Sequence, residues 1–361
     1  MTSTDLRAWR VTDPAAWNAF VESAPYHAFP QLWEWGEVRA MGGWRPVRLA
    51  IGPSRDHPVA GAQLLLRRMP VLGWHLAYVP RGPIGDLDDP AVRTALVAAL
   101  RSLGTAEKVA TVRVDPEARL DTPYGRALLE APWRAAPKIQ PPTTRVIDLT
   151  PGEEALKAAL KRKHRQYVNK AERSGVTIER FGGGTPAEVI GPALADFNRI
   201  YRFTAERAGF VARQHFYYER VWSLFAPTGR VRLSFALLDG ERVATIFHFT
   251  CGDRAVEAYG GMTDAGADAR VNYLLKWTAI SDFAREGFKI YDMWGLATGG
   301  IRQFKEGFGG QEIEYAGARD LSLRAPMDLA LRLAIPAYGL GQRARLKLFG
   351  RDGGADPAER V

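Results

Sequence analysis

The sequence predicts an α/β (α+β) protein built from two similar domains, each a mixed, twisted sheet flanked by helices. Three observations carry this. At 361 residues the chain is long enough for two domains. The order strand, strand, strand, helix, strand occurs twice, about 180 residues apart. A proline-rich link, PKIQPP at 137–142, separates the two copies. The composition, 46% hydrophobic and 25% charged, is that of a globular protein with real cores.

The elements read as follows. Asp13-Pro14 marks a first helix start. In the first copy, strand-like segments at 47–51, 59–67 and 75–79 precede a helix at 90–103, opened by Asp89-Pro90, and a strand at 109–114. In the second copy, Val231–Leu238, 242–250 and 254–261 precede a helix at 272–286 and a strand at 289–293. The strands rest on β-branched and alternating content, the helices on apolar spacing of three and four. Asp239-Gly240 supplies a tight hairpin turn. Thr150-Pro151-Gly152-Glu153 and Thr185-Pro186-Ala187-Glu188 each place Thr at an N-cap, Pro at the first helical position and Glu three residues on. After Arg324 the pattern is helical again to about residue 349, broken at Pro336, and the tail from Arg351 is polar. Three strands, a helix and a returning strand form the heart of a GNAT-type acyltransferase domain. The repeat therefore implies two GNAT-like domains, 1–145 with 318–361 and 146–317.

The formal net charge of +9 makes a polyanionic partner worth considering. It is concentrated. A predicted helix at 153–174 holds seven Lys/Arg and one acid between 157 and 173, a local excess of +6. Leu156, Leu160, Tyr167 and Ala171 share one stripe of that helix, with most cations outside it. Such a face is either simply solvated or a phosphate-binding surface. Cys251 is the only cysteine, so no intrachain disulfide is possible and a reducing compartment is expected. No apolar run spans a bilayer and residues 1–10 lack the apolar region of a secretory signal, which points to the cytoplasm. Phosphate-loop and hydrolase-elbow motifs are absent, and the six histidines show no metal-site spacing. Gly182-Gly183-Gly184 before Thr185-Pro186 reads as a helix cap rather than a dinucleotide loop.

The segment YDMWGLATGGIRQFKEGFGG (291–310) reads as a strand end, a glycine-broken loop and a short basic helix bearing Phe304, Lys305 and Phe308. A cation flanked by aromatics and followed by Gly309-Gly310 suits an anion-binding corner, and equally a glycine-punctuated loop beside a core strand. As a whole, this segment closely resembles the end of the second domain in the Fem family of peptidoglycan interpeptide-bridge aminoacyltransferases, tRNA-dependent enzymes with a tandem GNAT-like fold. LKRKHRQYVNKAERSGV (160–176), QLWEWGEVRAMGGW (31–44), AYVPRGPIGD (77–86), VRVDP (112–116) and GFVARQHFYYERV (209–221) resemble the same family in order.

The resemblance implies transfer of an amino acid such as Gly, Ala or Ser from aminoacyl-tRNA to the side-chain amine of a peptidoglycan stem peptide. The acceptor would be UDP-MurNAc-pentapeptide or lipid II. It implies no cofactor beyond the aminoacyl-tRNA co-substrate, because the ester is already activated. Lys305 is the implied charge stabiliser and Asp115 the candidate carboxylate. Arg39, Arg213, Tyr217, Tyr259 and Phe304 are the implied substrate contacts, with Arg39 standing where the family often has lysine. Lys161, Arg162, Lys163, Arg165, Lys170 and Arg173 are the implied tRNA contacts. Tyr217 and Tyr259 also fit plain amphipathic core edges. Residues 225–230 leave no room for the helical arm of longer family members, which shifts weight to the basic helix. The C-terminal stretch, with Arg343, Arg345, Lys347 and Arg351, fits either a packed terminal helix or a contact at the inner face of a membrane. Two other classes stay open: an acyl-CoA-dependent N-acyltransferase, needing a pyrophosphate-binding turn near 266–270, and a non-enzymatic RNA-binding protein.

Overall fold

The computed structural model describes residues 6–69, 73–296, 299–330 and 332. The chain divides into two compact units, Met1–Pro142 with Glu314–Val361 and Thr143–Ile313.

Unit 1 begins with β1 (Arg7–Arg10), α1 (Pro14–Ser23) and α2 (Trp33–Ala40). It continues through β2 (Arg45–Gly52), β3 (Ala60–Arg68), β4 (His75–Pro80), β5 (Ile84–Gly85), α3 (Pro90–Ala106), β6 (Val109–Asp115), α4 (Pro123–Ala127) and β7 (Trp133–Ala135). Asp13 and Asp89 cap α1 and α3 as the sequence predicts, each carboxylate accepting backbone N–H bonds from the first turn. On α3, Val92, Leu96, Leu100 and Leu103 recur at the helical period and bury against Leu49, Leu64, Leu66, Val112 and Val114 of the sheet. Each such side chain contributes about 1.5–3 kcal/mol of burial.

Unit 2 runs through β8 (Thr143–Asp148), α5 (Glu153–Ala159), α6 (Arg162–Arg173), β9 (Thr177–Phe181), α7 (Ala187–Ala208) and α8 (His215–Phe225). Then follow β10 (Val231–Leu238), β11 (Glu241–Cys251), β12 (Arg254–Met262), α9 (Asp264–Asp268), α10 (Val271–Arg285), β13 (Ile290–Asp292), α11 (Gly300–Glu306) and β14 (Gln311–Glu314). One sheet face carries α5, α6 and α10, whose Leu156, Val168, Ala171, Leu275 and Phe283 join a common core. The other carries α7 and α8, whose Phe197 and Tyr218 pack with Phe247 and Tyr259. After unit 2 the chain returns to unit 1 as β15 (Arg319–Ser322).

The strand order is β1-β2-β3-β4-β6-β15-β7 in unit 1, with β5 beside β3, and β14-β8-β13-β12-β11-β10-β9 in unit 2. Among the described residues each sheet holds a parallel pair beside antiparallel neighbours: β4 with β6, and β12 with β13. Each follows three antiparallel strands and a helix, which is the repeat read from the sequence. The two parallel pairs differ. β4 and β6 stay paired through six positions, to Pro80 and Asp115. β12 and β13 pair at only three, ending at Val256 and Asp292, and β12 runs on to Met262.

Several local expectations are corrected. The predicted helix at 153–174 is two helices. Leu160 is extended (ψ 137°), and the Lys161 N–H bonds the Gly307 carbonyl at 2.9 Å instead of continuing the helix. The buried stripe of α6 is His164, Val168 and Ala171, with Tyr167 only half-buried. Thr150 does not cap α5, because its hydroxyl is held by Asp148 at 2.7 Å and Gly152 stands at the N-cap. Thr185 likewise bonds Gly182 rather than the first turn of α7. Of the predicted C-terminal helix only the first turns, from 325, are described. Arg343, Arg345, Lys347 and Arg351 lie outside the described residues.

Candidate active site

In unit 1 the candidate residues gather where β4 and β6 end. Asp115, the last residue of β6, is buried, and its Oδ2 accepts the Gln140 N–H at 3.0 Å. Gln140 also donates through Nε2 to the Tyr78 hydroxyl at 3.2 Å. Burial pushes the Asp115 carboxyl up to about 6, opposed by the nearby Arg81 guanidinium. Arg81 is itself buried, in a left-handed conformation (φ 51°) just before the cis Gly82-Pro83 peptide. Its Nη2 donates to the Pro141 carbonyl at 2.9 Å, and its Nε lies 3.6 Å from Glu117. Gln31 braces the turn by donating to the Pro80 carbonyl at 2.6 Å while accepting the Gln63 N–H at 2.7 Å. Any side chain at Gly82 would run into Gln31.

Arg39 stands in the last turn of α2 with its guanidinium 5.9 Å from the Trp44 ring. Trp44 packs on Tyr78, which sits within the fields of both Asp115 and Arg39. Unit 1 therefore brings Arg39 and Asp115 to one locality. Arg39 is buried there, rather than projecting from the helix end as its proposed phosphate contact suggests.

In unit 2, Lys305 departs most from expectation. It is only 9% exposed, and its ammonium donates to three backbone carbonyls: Met293 at 2.6 Å, Trp294 at 2.9 Å and Gly295 at 2.7 Å. All three N–H donors are spent on the loop after β13, so the cation presents no free donor to a ligand. That loop is strained: Trp294 has φ 44°, and its N–H is fixed by Asp292 at 2.8 Å. Burial and the neighbouring Lys276 lower the Lys305 ammonium to about 8, with Glu257 and Asp292 opposing.

Beside it lies a buried polar chain that the sequence pattern does not announce. Lys276 of α10 pairs with Glu257 of β12 at 2.7 Å. Glu257 accepts the Tyr291 hydroxyl at 2.7 Å, and that hydroxyl lies 2.9 Å from His248 Nε2. Burial lowers His248 to about 3, so the ring is neutral and its Nε2–H donates to Tyr291. Burial opposes the Glu257 carboxylate, but Lys276 and Lys305 outweigh it and hold its pKa below the usual range. The one signal is a polar residue inside an apolar run: His248 within ATIFHFT, Lys276 within YLLKWTAI. Gln140, in an irregular link, gives none.

Phe304 is half-buried in an aromatic cluster with His164, Tyr273 and Phe308, and Lys276 sits 5.0 Å from its ring centre. His164 Nε2 also contacts the Phe304 carbonyl at 2.9 Å, tying α6 to α11. Arg213, Tyr217 and Tyr259 do come together. The Arg213 guanidinium lies 5.1 Å over the Tyr217 ring, and Tyr217 and Tyr259 share a side-chain hydrogen bond. Burial raises the Tyr259 phenol well above its ordinary value. Tyr259 pairs with Phe247 and Glu257 with His248, adjacent residues of β11. The arginine–tyrosine cluster thus belongs to the α7/α8 face, and the Glu257–Lys276 pair, with Phe304 beside it, to the α10 face.

On the basic surface, Lys161, Arg162, Lys163, Lys170 and Arg173 are exposed. Arg165 is partly engaged, donating to the Ala158 carbonyl at the end of α5 at 2.7 Å. The segment 266–270 is not an open anion-binding turn. It lies in α9 and its exit, where the N–H groups of Gly266, Ala267, Ala269 and Arg270 already have intrachain acceptors.

Comparison with known proteins agrees with this architecture. The FemAB family model matches residues 12–126, and the acetyltransferase (GNAT) domain model matches 158–306. The chain is 28% identical over 241 residues to a lipid II:glycine glycyltransferase of Staphylococcus aureus, covering 63% of this chain. It spans about half (55%) of the length of that relative. Among solved structures it is similar to FemX, with TM-score 0.80 and 20% identity over 91% of this chain and 99% of that one. A tandem GNAT protein from the clavulanic acid biosynthesis pathway matches with TM-score 0.53 and 13% identity over 88% and 99% of the two chains. The first part of the chain thus matches the FemAB family model, the second the acetyltransferase (GNAT) domain model, and the fold is that of FemX over nearly the whole chain.

Proposed function

We propose that the protein transfers an amino acid from aminoacyl-tRNA to the side-chain amine of a peptidoglycan precursor. The observation that carries this reading is the coupling of α6 to α11. Five exposed cations of this segment lie within one short stretch, and the same stretch is fastened to the Lys305-bearing helix. The fastening is double: the Lys161 N–H to the Gly307 carbonyl at 2.9 Å, and His164 to the Phe304 carbonyl at 2.9 Å. A surface suited to RNA phosphates is thus built onto the element that shapes the loop after β13. The named glycyltransferase relative, whose substrate is lipid II, supports a lipid-linked acceptor and glycine as the donor residue.

In the reaction, the acceptor amine attacks the ester carbonyl. A C–N bond forms, the C–O bond to the tRNA ribose breaks, and the amine proton ends on the departing hydroxyl. The ester needs no further activation, so the chemistry calls for positioning, proton transfer and oxyanion stabilisation. Asp115, raised to about 6, is ionised at pH 7 and suited to accept the proton. Lys305 acts as a positioning residue: its ammonium fixes the carbonyls of Met293, Trp294 and Gly295 and so the course of that loop. Arg213 with Tyr217 and Tyr259 offers a cation and phenols to the acceptor's diphosphate. The deciding test incubates the purified chain with labelled glycyl-, alanyl- and seryl-tRNA and either UDP-MurNAc-pentapeptide or lipid II. Mass spectrometry should show the precursor heavier by one aminoacyl residue. No mass change with any donor would remove the proposal.

A further inference from the structure

The nine large apolar side chains exposed among the described residues are not evenly spread. Four of them, Phe203 (38%), Phe210 (42%), Val211 (58%) and Phe216 (58%), fall within fourteen residues at the turn between α7 and α8. The turn is forced by Gly209, left-handed at φ 76°, which closes α7. Beyond it the chain runs irregularly to His215, presenting Phe210 and Val211 to solvent. The same stretch is basic: Arg199, Arg202, Arg207, Arg213 and Arg220 stand against Glu206 and Glu219. Arg199 and Arg207 are partly neutralised by Asp196 and Asp264, while Arg202 and Arg220 are exposed. Arg207 also lies 5.7 Å from the Phe203 ring, so cation and aromatic are interleaved.

Exposed aromatics grouped with an excess of arginine suit an interface between hydrocarbon and anionic headgroups. No helix among the described residues is long and apolar enough to cross a membrane, so any lipid contact there is peripheral. We infer that the α7–α8 turn docks unit 2 on an anionic bilayer surface, with Phe210, Val211 and Phe216 entering the headgroup region. Arg213 leaves this turn to lie over Tyr217, so a lipid-linked acceptor would meet the arginine–tyrosine cluster directly beside the docking patch. This last step rests on the proposed acceptor reading; the bilayer contact does not.

The experiment is vesicle flotation of the full chain on phosphatidylcholine vesicles with and without 30 mol% phosphatidylglycerol. Binding should need the anionic lipid and should weaken between 0.1 and 0.5 M salt. Val211→Ser/Phe216→Ser should bind at least about tenfold more weakly, with two apolar anchors removed. Arg202→Ser/Arg220→Ser should lose most of the preference for the anionic vesicles. Both double variants alter exposed residues, and unchanged melting curves would verify their folding. Wild-type binding in both double variants would overturn the inference, as would equal binding to neutral vesicles. So would a change of oligomeric state in Val211→Ser/Phe216→Ser, which would assign the patch to a second copy of the chain. A separate arm compares activity on lipid II in vesicles with activity on the soluble UDP-linked acceptor. Loss confined to lipid II ties docking to acceptor delivery. Inactivity of the wild type on both, with lipid binding intact, sinks the reaction and leaves the docking standing.

Discussion

Unit 1 and unit 2 repeat one topology but end their parallel strand pair differently. In unit 1, β4 and β6 remain joined to their last residues, and the Asp115 N–H adds a bond to the Gly82 carbonyl at 3.3 Å. Beyond that point Gln31, Arg81 and Gln140 fill the end with neutral and paired polar groups. In unit 2 the pair parts after three positions, and the carbonyls freed on the β13 side are taken by the Lys305 ammonium. The cluster behind it holds three cations, Lys276, Lys305 and Arg254, against Glu257 and Asp292. A gap between strands leaves backbone groups that must find partners when buried, and a lysine with three donors supplies three at once. The opened strand end is closed by a cation on backbone carbonyls, the joined one by side-chain amides and a paired arginine.

If that charged cluster holds unit 2 open, breaking it should produce the largest loss. Lys276→Met leaves Glu257 buried without its cation, and should cost about 3–5 kcal/mol in urea unfolding. Lys276→Met/Glu257→Gln together should recover a good part of this. If the single variant proves neutral, the pair is not what holds the opening.

The next effect separates the two roles of Lys305. Lys305→Ala removes the shared partner of three carbonyls and should lower kcat by roughly 10²–10³, the scale of a misplaced catalytic surround. Because the lysine acts through the loop, amide exchange of 293–296 should accelerate in parallel. Lys305→Arg should rescue little, since a planar fork cannot converge on three carbonyls. Slower turnover with unchanged exchange would instead mean that the ammonium reaches the substrate during reaction.

Asp115 offers the counterpart in unit 1. Its folded pKa, about 6, lies above the unfolded carboxylate value. Its contribution is therefore favourable below the unfolded pKa of about 4 and lost as pH rises through 6. Asp115→Asn keeps an oxygen for the Gln140 N–H and should raise stability at pH 7 by on the order of 2 kcal/mol, with little change at pH 4. If Asp115 is the base, the same variant should abolish the acidic limb of kcat/KM near pH 6. Denaturant curves at the two pH values and one pH–rate profile check both statements.

The smallest effect concerns α6. Lys161→Ala/Arg162→Ala/Lys163→Ala should lessen the log–log salt slope of tRNA binding by about 0.7–0.9 for each phosphate no longer neutralised. Filter binding across a salt series would show it. An unchanged slope would make the segment an ordinary solvated face. Arg165 is a poorer choice for this test, because it caps α5 as well as bearing charge.

The repeated order of strands and helix was legible because period-two and period-3.6 apolar patterns are local, and burial on one face enforces them. Asp13 and Asp89 were legible as caps for the same reason: the bond they make closes within three residues. The grouping of Arg213 with Tyr217 was named by the family resemblance, and the two lie four residues apart in one segment. What the sequence could not show was any arrangement set by partners far along the chain. Lys161 leaves a helical pattern because Gly307, 146 residues later, accepts its N–H. Thr150 abandons its cap for Asp148. Lys305 read as a cation flanked by aromatics at an anion-binding corner, yet its setting depends on carbonyls that the early parting of β12 from β13 leaves free. Composition and periodicity determined two sheets and their helices. The direction in which each polar group spends its hydrogen bonds was decided by which backbone groups the finished sheets left unpaired, since burial makes an unpaired one costly.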